Sequence, residues 1–122
     1  SASTLTVDLD HVRMHSNGNA GFAITSGARA TVSHSSASSN FHGFYADTGS
    51  VLNLDESISS GNLTTGINSQ SAAIIRMFSS TVAHNSTGLS ATTGGSILSY
   101  GFNRIAGNGA GNGPPTANLP LQ

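Results

Sequence analysis

Cysteine, tryptophan and lysine are all absent from the 122 residues, and the only basic side chains besides histidine are Arg13, Arg29, Arg76 and Arg104. Without cysteine, neither a disulfide nor a zinc–thiolate site holds the chain together, and the redox compartment stays open. Only 7% of residues are charged, against roughly 25% in ordinary globular proteins. That scarcity argues against classic disorder, which pairs low hydrophobicity with high net charge. A formal charge of −1 leaves no electrostatic footprint for nucleic acid or an anionic membrane surface. No apolar run approaches the ~18 residues of a membrane span. Ser1-Ala2-Ser3-Thr4 lacks a signal-peptide pattern; an extracellular or cell-surface location is still expected, with its signal outside this chain.

What the chain does have is a beat. Asparagine recurs at Asn17, Asn40, Asn62, Asn85 and Asn108, at steps of 23, 22, 23 and 23 residues. A fixed period of this size marks a solenoid, in which each repeat is one supersecondary unit stacked on the last. Aligning the amides brings other columns into line. Each coil opens with an alternating apolar pair: Val7 and Leu9, Ala30 and Val32, Leu52 and Leu54, Ile75 and Met77, Leu98 and Tyr100. Alternation puts both members on one face of a strand. A further apolar point follows at Met14, Ala37, Ile58, Val82 and Ile105, then the asparagine, then a glycine at Gly21, Gly43, Gly66 and Gly88. A second strand signal runs through Phe22 and Ile24, Phe44 and Ala46, Ile67 and Ser69, Leu89 and Ala91. Small-residue turns at Ser26-Gly27, Thr48-Gly49, Gln70-Ser71 and Gly94-Gly95 close the coils.

No stretch keeps a 3.6-residue period, so long helices are not expected. Coils stacked ~4.8 Å apart share one core and set like on like, and stacked amides can bond to one another and to the turn backbone. Parallel strands joined by crossovers wind right-handedly in nearly all cases, and the strict six-residue beat of left-handed hexapeptide helices is missing. The reading is an all-β, right-handed parallel β-helix of about five coils of 22–23 residues. Residues 1–122 form a single domain, with 109–122 as a C-terminal tail or cap.

These columns resemble the repeat of uncharacterised bacterial right-handed parallel β-helix proteins in the pectate-lyase-like superfamily, in particular their C-terminal half. The segment from Gly95 through Tyr100, Asn103 and Ile105 to Gly109 is similar to that group's closing coil, and Pro114-Pro115-Thr116 fits its tail. The resemblance covers essentially the whole chain and implies further coils upstream. It says little about activity, since the same fold hosts lyases, hydrolases, adhesins and spacers. The chain departs from the group at Phe41-His42, Phe78, His84 and Phe102, where small polar residues are usual.

Candidate chemistry gathers on one lateral face. The column past the first strand reads His11, His34, Glu56, Ser79, Phe102; outward columns beside it read Asp10, Ser33, Asp55, Phe78, Gly101 and Asp8, Thr31, Asn53, Arg76, Ser99. Four of the five carboxylates fall there. Carboxylates, histidines and an arginine suit a site for acidic sugars, and an exposed aromatic can stack on a sugar ring. The polygalacturonase signatures Asn-Thr-Asp, Asp-Asp, Gly-His-Gly and Arg-Ile-Lys are missing, and Leu9-Asp10-His11 lacks the Trp that precedes it in a pectate lyase motif. No catalytic set is assigned. The binding candidates are Asp10, His11, His34, Asp55, Glu56, Arg76 and Phe78, and the structural ladder is the five asparagines.

Two imidazoles and a carboxylate make a respectable ligand set, but solenoid spacing sets any two column members side by side. Neither a metal nor a cofactor is therefore expected. The sequons at Asn62 and Asn85 fall in the buried column, so glycosylation there is not expected. Gly107 to Gly113 lacks the lysine and helix of a phosphate loop and reads as the last turn. The first strand begins near Thr4 with no preceding cap, so that coil is expected to dock on a second copy or on missing upstream coils. The function expected is a non-catalytic, exported module for surface display or for binding a polysaccharide or protein partner. Alternatives are an acidic-polysaccharide lyase or hydrolase and an inert spacer.

Overall fold

Strands alternate inward and outward side chains, so a chain with apolar pairs every 22–23 residues buries them all only by winding around one axis. The computed structural model describes residues 5–120, and it winds this way. The first sheet stacks β1 (Thr6–Asp10), β4 (Arg29–Ser33), β7 (Val51–Asp55), β10 (Ile74–Phe78), β13 (Ser96–Ser99) and β15 (Ala117–Asn118). The second stacks β2 (Arg13–His15), β5 (Ser36–Ser38), β8 (Ile58–Ser60), β11 (Thr81–Ala83) and β14 (Arg104–Ala106). The third stacks β3 (Ala20–Ile24), β6 (His42–Ala46), β9 (Thr65–Gln70) and β12 (Thr87–Thr92). Every pairing between these strands is parallel. Thr4 and Leu121, which the sequence reading placed in the first strand and the tail, lie outside the described residues.

The core is a column of stacked apolar side chains: Val32, Leu54 and Met77 from the first sheet, with Leu52, Ile75 and Ile97 beside them, Phe44 and Ile67 from the third, and Val82 from the second, all 0–2% exposed. Between the second and third sheets runs the asparagine ladder. Asn40 N–H donates to Asn62 Oδ1 at 3.0 Å, Asn62 N–H to Asn85 Oδ1 at 2.9 Å and Asn85 N–H to Asn108 Oδ1 at 3.0 Å. The amide Nδ2 of Asn17, Asn62 and Asn85 donates to the next Oδ1 at 2.8–3.0 Å. Asn112 adds a sixth rung: its Oδ1 accepts from Asn108 Nδ2 at 2.9 Å. Glycine follows because the next coil's amide occupies its side-chain space. A Cβ on Gly66 would stand 2.6 Å from Asn85 Nδ2, inside any tolerable contact.

Two inward positions differ from the sequence reading. In the third coil Ser59, not Ile58, stacks with Ala37 and Val82, and Ile58 is 47% exposed. The inward residue stands three positions before the ladder asparagine in every coil, and Ile58 is four before Asn62. Ser59 Oγ satisfies itself there by donating to Gly66 O at 2.8 Å and accepting from Asn62 Nδ2 at 3.0 Å. In the fifth coil Ile97 and Ser99, not Leu98 and Tyr100, continue the column of Ile75 and Met77. The preceding turn sets this register, because the left-handed pairs are Ser71-Ala72 and Thr93-Gly94 rather than Gln70-Ser71 and Gly94-Gly95. Two residues beyond each turn's closing small residue (Ser50, Ala73, Gly95) comes the inward apolar. Gly101, at φ 118°, absorbs the extra residue and returns Phe102 to its column. The outward columns therefore end in Leu98 and Tyr100, not Ser99 and Gly101.

Candidate functional site

The corner between the first and second sheets makes the lateral face. His11, His34, Glu56, Ser79 and Phe102 all adopt left-handed backbone there, with φ between 46° and 57°. Such a corner turns the chain sharply and throws the side chain outward. The next residue points inward and forms a second ladder. Val12 N–H donates to Ser35 Oγ at 3.0 Å, Ser35 N–H to Ser57 Oγ and Ser57 N–H to Ser80 Oγ at 3.2 Å, and Ser80 N–H to Asn103 Oδ1 at 2.9 Å. Sequence reasoning missed this column. Its signal, serine at steps of 22 and 23, was submerged in a serine-rich chain.

The predicted cluster divides into two. Asp10, His11, His34 and Glu56 meet at the corner. His11 Nδ1 lies 3.0 Å from Asp10 Oδ2, His34 Nδ1 lies 3.0 Å from Asp10 Oδ1, and His34 Nε2 lies 3.5 Å from Glu56 Oε1. The two imidazoles stack with centroids 5.0 Å apart and planes 10° from parallel. Hydrogen bonds from His34, then His11, hold the Asp10 carboxyl below the usual carboxylate range. The bond to Asp10, reinforced by the charges of Glu56, Asp10 and Asp55, pushes His34 up. All four groups are exposed.

Asp55, Arg76 and Phe78 belong instead to a shallow groove on the outer face of the first sheet. Asn53, Asp55, Arg76, Phe78 and Tyr100 line a depression of about 300 Å³. A second, of about 360 Å³, continues from Asn53 and Arg76 toward Thr6 and Arg29. Phe78 is braced edge-on by Phe102, centroids 6.0 Å apart at 82°. Asp55 Oδ1 is buried without a hydrogen-bond partner among the described residues. Asp8 shares the Arg76 column but stands three strands away, about 14 Å at the spacing of stacked strands, and joins neither group. Phe41 lies apart from the groove and packs edge-on against His42.

The family model described as a right-handed β-helix region matches residues 3–108. The chain belongs to that family. Neither the comparison with curated proteins nor that with solved structures returns a match. The β-helix thus shares its coil architecture and hand with the family. Among the described residues no helix is long and apolar enough to cross a membrane.

Proposed function

We propose that this β-helix is a non-catalytic module, exported or displayed on a surface, that binds an extended glycan along the outer face of its first sheet. The observation that carries the reading is the groove itself: two aromatic rings, Phe78 and Tyr100, stand beside Asn53, Asp55 and Arg76 on a rigid sheet. A sugar offers an apolar face for stacking and a rim of hydroxyls for hydrogen bonds, and a braced aromatic flanked by amide, carboxylate and guanidinium meets both needs. The Asp55 carboxylate lines the groove as a hydrogen-bond acceptor, and Arg76 favours sugars carrying carboxylates. The shallowness fits an open chain better than an enclosed small molecule.

A glycan array, neutral and uronate-rich, tests it. Binding is expected to fall at least 10-fold in Phe78→Ala, about the 1.4 kcal/mol that one stacking contact supplies. Binding indifferent to Phe78 sinks the reading. Release of unsaturated or reducing uronate that disappears in Asp55→Ala would make the protein an enzyme instead.

A further inference from the structure

The geometry points to a metal site at the histidine corner, distinct from the groove and independent of the glycan reading: Asp10, His11 and His34 bind one divalent ion of the zinc and copper class. Shared column membership could not carry this, since any two neighbours in a solenoid column touch. Three features go beyond adjacency. Both histidines address one carboxylate through the same ring atom, Nδ1 of His11 to Oδ2 and Nδ1 of His34 to Oδ1, each at 3.0 Å. One ligand atom from each of the three residues lies within 4.8 Å of the others. An ion with bonds of about 2.0–2.1 Å holds tetrahedral ligands about 3.4 Å apart, a spacing the exposed side chains reach when one imidazole turns out of the parallel stack so that both ring planes meet at the ion.

The third feature is the far side of His34. Ligation at Nδ1 requires the ring proton on Nε2, and Nε2 faces Glu56 Oε1 at 3.5 Å. A histidine that binds metal through one nitrogen and donates through the other to a carboxylate is the arrangement that fixes tautomer and ring orientation. The corner backbone adds rigidity, because His11, His34 and Glu56 hang from consecutive left-handed positions tied coil to coil by His11 N–H to Ser33 O and His34 N–H to Asp55 O, both at 3.2 Å. Two imidazoles and one carboxylate suit zinc, copper(II) or nickel, and disfavour calcium and magnesium, which seek oxygen. Three protein ligands leave a coordination position open to water or to a group on a partner.

Zn²⁺ titration of the tag-free chain by calorimetry, with Co²⁺ as the spectroscopic probe, tests this. One equivalent binds per chain, and Co²⁺ gives the visible bands of a site with nitrogen and oxygen ligands in low coordination number. His11→Ala and His34→Ala each lower affinity at least 100-fold. Glu56→Gln keeps the stoichiometry and weakens binding about 10-fold. His84→Ala, remote from the cluster, changes nothing. Far-UV circular dichroism unchanged in all four variants separates lost binding from lost fold. Zn²⁺ binding that survives His34→Ala, that falls equally in His84→Ala, or that is absent altogether overturns the assignment.

Discussion

Each coil turns at an asparagine corner and at a histidine corner, and the inward position of the one and the outward position of the other obey opposite rules. At the first, the same residue recurs five times because its side chain points inward, where Oδ1 must accept and Nδ2 must donate at every level. At the second, the outward residue reads His, His, Glu, Ser, Phe, and only the left-handed backbone repeats. Buried polar groups must find partners, whereas solvent satisfies exposed ones. Repetition along this chain therefore reports internal bonds, and variation reports the surface on which binding chemistry can be placed.

The sharpest way to break that comparison is to remove one rung. Asn62 donates to Ala37 O, Ser59 Oγ and Asn85 Oδ1 and accepts from Asn40 N–H, all within 3.2 Å and all buried. Asn62→Ala leaves the buried Asn40 N–H without its acceptor, at about 1–3 kcal/mol, and removes the side-chain donations to Ala37 O, Ser59 Oγ and Asn85 Oδ1, worth about 0.5–1.5 kcal/mol apiece. A loss of about 3–4 kcal/mol is expected in urea unfolding. Asn17, exposed at the first rung, is expected to cost below about 1 kcal/mol on the same change. Equal losses at the two positions would show that burial does not set the ladder's worth.

A smaller effect sharpens the comparison within the histidine corner. Ser57 Oγ accepts from Ser35 N–H at 3.2 Å and donates to Asp55 O at 2.8 Å, with the residue 1% exposed. Ser57→Ala is expected to lower stability by about 1–2 kcal/mol. His34→Ala, at the same corner one coil away but outward, should stay within about 0.5 kcal/mol of the parent without metal. A chemical-denaturation midpoint that moves more for His34 than for Ser57 would reverse the division between inside and outside.

The inward asparagines were legible in sequence because one residue type held one place at every level. The serine ladder was not, since its inward position is filled by Val12, three serines and Asn103, and serine is common elsewhere in the chain. Register failed where composition competed with spacing. Ile58 looked like core because it is apolar, yet the constant three-residue interval to the ladder selects Ser59. Leu98 and Tyr100 looked like a strand pair, yet the turn ending at Gly95 selects Ile97. The candidate face was legible as a list of residues but not as two separate groups, because columns give order along the axis and not reach across a sheet.

Histidines on the two corners carry the smallest and most direct contrast. His34 at the histidine corner is raised by its hydrogen bond to Asp10. His42, two residues past Asn40 at the start of β6, is lowered from its ordinary 6.5 by burial. Around it stand the rings of Phe41 and Tyr45, the Thr65 hydroxyl that hydrogen-bonds Nδ1, and Asp47, which engages Tyr45 rather than His42. With its folded-state value depressed, the unfolded chain takes the proton more readily. The contribution of neutral His42 is fully present above pH 6.5, declines as pH falls through 6.5 toward the folded value, and levels off below it. His42→Gln should therefore flatten part of the acid-side loss. Because every other titrating group is common to both proteins, the difference between their urea midpoints from pH 7.5 to pH 5 isolates His42. The variant's stability relative to the parent should hold level above pH 6.5 and rise as the pH falls below it; a difference constant across that range would mean that burial beside the asparagine corner does not penalise the charged ring.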